Sequence, residues 1–325
     1  MHSADRMLLD RETFLALPTD EEVIEAVQQM GRLPQVGIFV PDGNRRWVLA
    51  TTNLSEGSDE FFIQVALTQT AYGLHNLEVF FSHGLPVLFV PLFSRPVLTR
   101  SPSYYRLTAL KTLHIMLTSD EWLDFYAKWN VRVRVYGDLS VLPSADGEQV
   151  RLWITRLQQI TRLHTAHTLF LGIGGEPWVG YDAAQATVRF YRTYQREPSV
   201  DELIEFIYGE PVPPADFFIM CSGMDGLGAL PAFICNEDTQ AYYLAAPGVA
   251  ALTRQTYRAI LYDLCLRRGK VVGKSSYTLD PDEREQLRTW YEDHREAIIG
   301  LGCRIGTVWV PQVPESGPSR LPTPV

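Results

Sequence analysis

The chain has 325 residues, 46% of them hydrophobic, and a formal net charge of -9 with a pI near 5.3. An acidic chain whose Lys and Arg form no basic run argues against a nucleic-acid partner. The four cysteines (Cys221, Cys235, Cys265, Cys303) are widely spaced with no C-x-x-C, which argues against a zinc site or a disulfide framework.

In chain order, Thr19 followed by Glu22 has the capping-box spacing and opens a predicted helix over 19–32. Apolar runs at 36–40, 87–93, 131–136, 168–173 and 217–220 read as buried strands. Between them, helical periodicity covers 61–81, 104–129, 149–164 and 181–196. Strands alternating with long helices predict an α/β protein with a mainly parallel central sheet flanked by helices. The length fits one large domain or two smaller ones; the unbroken alternation favours a single domain over 1–310. The Pro-rich stretch 311–325 is expected to be a disordered tail. Met1-His2-Ser3-Ala4-Asp5-Arg6 lacks the basic start and following apolar run expected of a signal peptide, and no run approaches the roughly 20 apolar residues that span a bilayer. A soluble, cytoplasmic protein without membrane insertion is the expectation.

Turn and polar residues follow each predicted strand: Asp42-Gly43 after the first, Ser94-Arg95 after the second, Gly137-Asp138 after the third, Gly172 to Gly175 after the fourth, Ser222-Gly223 after the fifth. Open parallel sheets bind ligands beyond these carboxyl ends. The first is the most informative. In Pro41-Asp42-Gly43-Asn44-Arg45-Arg46-Trp47 a carboxylate and two adjacent guanidiniums meet at one strand end. Arginine forks match phosphate oxygens, a carboxylate can hold magnesium, and glycine lets backbone approach. The same residues also suit a strand followed by a turn with solvated arginines, with Asp42 as a helix N-cap. Gly172-x-Gly174-Gly175 lacks the full dinucleotide-loop pattern.

The Asp42-Gly43-Asn44-x-Arg46-Trp47 segment resembles the signature of the cis-prenyltransferases, the undecaprenyl diphosphate synthase family. Phe93-Ser94, Gly137-Asp138 and Ser222-Gly223 fall where that family has its own Phe-Ser, Gly-Asp and Ser-Gly elements. The departures are as telling. Elongating members carry Glu-Asn at the position of Pro96-Val97. They also carry arginines after the Ser-Gly pair, where this chain has Met224-Asp225-Gly226-Leu227-Gly228. A metal-binding glutamate of the family falls near Gln240. Within the family, the doubled arginine, His83-Gly84, Tyr136-Gly137-Asp138, Ile260-Leu261-Tyr262-Asp263 and Gly302-Cys303 are similar to the tuberculosinol/isotuberculosinol synthase (tuberculosinyl adenosine transferase) group.

That resemblance implies a magnesium-dependent diterpene synthase and a homodimer. It would ionise a bicyclic diterpenyl diphosphate supplied by a separate cyclase, and capture the cation with water, or pass it to adenosine or another nucleophile. A non-catalytic partner subunit of a cis-prenyltransferase complex is a third possibility. The implied catalytic residues are Asp42, Arg45, Arg46 and Tyr104, with Asp42 holding the metal or steering water. Gly43, Asn44, Arg45, Arg46, Ser94, Arg95 and Arg100 are the implied diphosphate ligands. Phe62, Trp47 and Phe93 would line the hydrocarbon pocket, walled by the helices at 61–81 and 104–129. Phe62 falls where the relatives have a tyrosine.

Overall fold

A computed structural model describes residues 9–176, 178, 180–221, 230–268, 279–306 and 308–313. Two short helices, α1 (Arg11–Leu15) and α2 (Asp20–Met30), lead into β1 (Val36–Val40). The Thr19 hydroxyl accepts from the Glu22 N–H and the Glu22 carboxylate from the Thr19 N–H, so the expected capping box opens α2. Then follow α3 (Asn44–Thr51), the long α4 (Asp59–Ser82), β2 (Val87–Ser94), α5 (Arg95–Leu98) and α6 (Pro102–Tyr104). A π-helical stretch over Tyr105–Leu110 joins α6 to α7 (Lys111–Thr118), and α8 (Asp120–Lys128) leads to β3 (Val131–Gly137). The helix expected over 104–129 is therefore two helices, parted where Ser119 turns extended. The second half of the sheet is built from α9 (Ser144–Thr161), β4 (His167–Gly175), α10 (Tyr181–Tyr194), α11 (Val200–Tyr208), β5 (Phe217–Met220) and β6 (Gln240–Tyr243). After α12 (Arg254–Tyr262) come α13 (Pro281–Asp293) and a hairpin of β7 (Gly302–Ile305) and β8 (Val308–Pro311).

The six strands are parallel, in the order β3-β4-β2-β1-β5-β6. Strand periodicity sorts their side chains between two faces. Val36, Ile38 and Val40 pack with Phe89, Phe170 and Phe218 toward α11. Phe39 packs with Leu88, Val90 and Leu171 toward α4, α7 and α12. Because both faces are covered, the central strands are continuous apolar runs and were readable as such. The edge strand β6 was not expected: Gln-Ala-Tyr-Tyr has no apolar run or clean alternation. Pro311, placed with the tail by composition, closes β8; residues 314–325 of that expected tail lie outside the described residues.

No helix among the described residues is long and apolar enough to cross a membrane. Cys221 is buried, Cys235 and Cys265 are partly buried and Cys303 is exposed, all as free thiols.

Candidate active site

The chain leaves β1 at Pro41 and must turn at once into α3. Gly43 makes that turn with φ +86 and serves as N-cap, with no side-chain capping bond to the helix. A side chain there would also collide: a Cβ would lie 2.6 Å from Pro247 Cβ and 3.1 Å from an Arg46 Nη2 folded back over the turn. Asp42 is therefore not the cap. Its Oδ1 accepts the Gly43 N–H at 2.6 Å, and it stands exposed at the strand end. The first turn of α3 thus brings the positive end of the helix dipole beside one carboxylate and two arginines.

A second loop clamps this turn from below. Gly248 donates its N–H to the Asp42 carbonyl at 2.7 Å, and Val249 donates to the Asn44 Oδ1 at 2.8 Å. Asn44 also donates its Nδ2 to the Pro41 carbonyl at 2.8 Å, and Asn76 of α4 donates to the Val249 carbonyl at 2.8 Å. The Asn44 side chain, expected on the diphosphate, is thus a buried staple between two loops. Gly248 has φ +83, and a Cβ would press Trp47 Cβ at 3.1 Å and the Asn44 oxygen at 3.2 Å.

Arg45, Arg100, Tyr104 and Phe62 are brought together from three helices and the loop between α5 and α6. The Arg45 guanidinium carbon lies 5.9 Å from the centroid of the Tyr104 ring, and that of Arg100 lies 5.0 Å from it. Phe62 meets the same ring edge-on at 5.6 Å and 89°. Tyr104 is thereby a platform for two cations. Burial pushes its phenol pKa up, against the opposing pull of Arg100 and then Arg45, so the hydroxyl stays protonated at neutral pH. Arg45 also forms an ion pair with Glu56, eleven residues on, a partner the sequence pattern did not point to.

Other expected residues go elsewhere. Ser94 is the N-cap of α5 and makes no side-chain capping bond. Arg95 is held between two carboxylates, Asp138 Oδ2 at 3.2 Å and Glu176 Oε1 at 2.6 Å. It lines, with Phe93, a cavity of about 610 Å³ at the carboxyl ends of β2, β3 and β4, whose walls do not include Asp42, Arg45 or Tyr104. Trp47 packs against the Gly248 turn. Phe62, Trp47 and Phe93 therefore do not form one pocket. The helices expected to wall the hydrocarbon site border a narrow seam between Phe39, Leu77, Met116 and Trp122, with about 20 Å³ of free space. Gln240 donates to the Asp238 carbonyl and accepts from Arg268, so it offers no metal-binding carboxylate. Ser222-Gly223 and the arginine-free 224–228 lie outside the described residues.

Comparisons with known proteins agree with this fold. No family model matches the sequence. The chain is 31% identical to tuberculosinyl adenosine transferase of Mycobacterium tuberculosis over 310 residues, covering 93% of this chain and 98% of that protein. It is 30% identical to (+)-kolavelool synthase of Herpetosiphon aurantiacus over 286 residues, covering 86% and 90%. Among solved structures it resembles a probable undecaprenyl diphosphate synthase from Campylobacter jejuni (TM-score 0.54, 20% identity, 73% of this chain and 98% of that one). It also resembles lavandulyl diphosphate synthase from Lavandula x intermedia in complex with dimethylallyl diphosphate (TM-score 0.58, 15% identity, 72% and 96%). The chain belongs to the family that includes tuberculosinyl adenosine transferase and (+)-kolavelool synthase, built on the cis-prenyltransferase fold.

Proposed function

We propose that the protein is a diterpene synthase that ionises a bicyclic diterpenyl diphosphate, of halimadienyl or clerodane (kolavenyl) type, and captures the allylic cation with water. The observation that carries this reading is the α3 start: an N-terminus with no side-chain cap, next to an exposed carboxylate and two guanidiniums. The helix N–H groups, Arg45 and Arg46 bind the diphosphate and stabilise the charge it gains as it leaves. Electrostatic stabilisation of this kind is usually the largest catalytic contribution. The allylic C–O bond breaks with its electron pair departing on the diphosphate. A water oxygen then bonds to the cationic carbon and loses a proton, giving the alcohol and free diphosphate.

Magnesium fits this site in one way. Among the described residues no three His, Cys, Asp or Glu side chains converge on a metal. A single carboxylate, Asp42, suits an ion that keeps several waters and takes its other oxygens from substrate phosphates. When bound, the ion supplies charge neutralisation on the diphosphate. The hydrocarbon would lie beside Phe62 and Tyr104. The protein would act as a homodimer in the cytoplasm, downstream of a separate cyclase.

Transfer of the diterpenyl group to adenosine is the second reading, favoured by the 31% identity to a protein of that name. Incubating the protein with magnesium and each bicyclic diphosphate, with and without adenosine, separates the two. An alcohol unchanged by adenosine supports water capture; an adenosine adduct at the alcohol's expense overturns it. Retention of Asp42, Arg45 and Arg46 argues against a non-catalytic partner subunit.

A further inference from the structure

Glu56 is a carboxylate that the proposed chemistry does not use, yet it holds one of the guanidiniums that the chemistry needs. It sits on the loop between α3 and α4, and its Oε1 is paired with Arg45 Nη2. Among the described residues Glu56 has no other cation and Arg45 no other carboxylate. Arg100, over the same Tyr104 ring at 5.0 Å, pairs with no carboxylate among the described residues. One of the two cations on that ring is therefore neutralised and the other is open.

The loop carries Glu56 back over α3 from two anchors. On one side Leu54 packs with Val48, Phe61 and Tyr104. On the other the Ser58 N–H donates to the Ser55 carbonyl at 3.1 Å, and the Ser58 hydroxyl caps α4 by accepting the Phe61 N–H at 3.1 Å. The anchored ends fix where the carboxylate stands, while the ion pair itself stays wet: the Arg45 and Glu56 side chains are 37% and 49% exposed. Exposed pairs of this kind contribute little to stability and open readily. A diphosphate carries more charge than one carboxylate and matches the same guanidinium fork, so it takes Arg45 from Glu56. Glu56 is then left as a like charge close to the bound anion.

We propose that Glu56 is an exchangeable counterion for Arg45. It holds the guanidinium while the α3 turn is empty, yields it to the incoming diphosphate, and takes it back as free diphosphate leaves. Glu56 thus weakens diphosphate binding and promotes release of the cleaved product. The inference rests on the reading of the α3 start as the diphosphate grip. A carboxylate that merely props Arg45 in place would act with the opposite sign, because removing a prop weakens binding.

Isothermal titration of inorganic diphosphate, with magnesium and at low salt, into the unaltered protein and Glu56→Gln tests it. Glu56→Gln should bind diphosphate roughly 2- to 10-fold more tightly. The gain should vanish when Arg45→Gln is the background, since the pair acts only through that guanidinium. It should also shrink at about 0.5 M salt, where exposed charges are screened. Equal or weaker binding in Glu56→Gln, or a gain that persists without Arg45, overturns the proposal and leaves the grip standing. If neither the unaltered protein nor Glu56→Gln binds diphosphate, the reading of the α3 start falls and the proposal falls with it.

Discussion

Tyr104 holds its place in the site through its ring more than its hydroxyl. The ring carries Arg100 at 5.0 Å and Arg45 at 5.9 Å, and meets Phe62 edge-on. Tyr104→Phe should therefore leave kcat/KM within a few-fold, whereas Tyr104→Ala, which frees both guanidiniums, should lower it roughly 10- to 100-fold. If phenylalanine is as damaging as alanine, the hydroxyl is the working group. Gly43 makes a sharper demand. Its φ of +86 and the 2.6 Å approach of Pro247 leave no room for a methyl group. Gly43→Ala should cost on the order of 1–3 kcal/mol in urea unfolding, from the strained backbone alone, and should also disable turnover. Asp42 and the doubled arginine were legible because they are adjacent in sequence. The true duty of Asn44 was not, because its partner Val249 is 205 residues away and no local pattern encodes such a bond. Glu56, on a loop without periodicity, was hidden for a similar reason.

Between elements, the amino end of the sheet is tied by a buried polar knot. Asp20 at the start of α2 accepts from Arg258 at 2.8 Å and pairs with Arg254, both of α12. His83, at the end of α4, lies 3.1 Å from the same carboxylate and holds the Val79 carbonyl through Nδ1 at 2.7 Å. Burial, aided by the Arg258 charge, lowers the His83 pKa to about 4. The native imidazole thus resists a proton that the unfolded chain accepts near pH 6.5. Stability from this residue is complete above that pH and drains away as pH falls toward about 4. The loss should be on the order of 3 kcal/mol. Urea unfolding at pH 7.5 and 4.5 should show that loss in the unaltered protein and a clearly smaller one in His83→Asn; equal losses would remove His83 from the account. At this scale β1 to β5 and the helices α2, α4, α9 and α10 were readable from runs, periodicity and one capping signal. The π-helical stretch over Tyr105–Leu110 and the break at Ser119 were not, because tertiary packing, not composition, sets them.

Over the whole molecule, two features fit the proposed homodimer. Every residue of α13 is exposed, Leu287, Trp290 and Tyr291 included, and α10 exposes Tyr181, Val188 and Tyr191 on one side. Sedimentation should give twice the 36.9 kDa chain mass; a monomer at micromolar concentration would count against it. The parallel architecture was legible because a doubly covered sheet writes itself as apolar runs. The separation of Arg95 and Phe93 from the Asp42 turn was not, since both follow neighbouring strands and only the side-chain contacts divide them. The central claim is that one anion grip at α3 releases a diphosphate and does not build longer chains. Mass-spectrometric product analysis with magnesium tests it most directly, comparing bicyclic C20 diphosphates with linear allylic diphosphates supplied together with isopentenyl diphosphate. The expected result is a diterpene alcohol and one diphosphate per bicyclic substrate, lowered at least about 100-fold in Asp42→Ala. Longer prenyl diphosphates from the linear mixture, or full activity in Asp42→Ala, would contradict it.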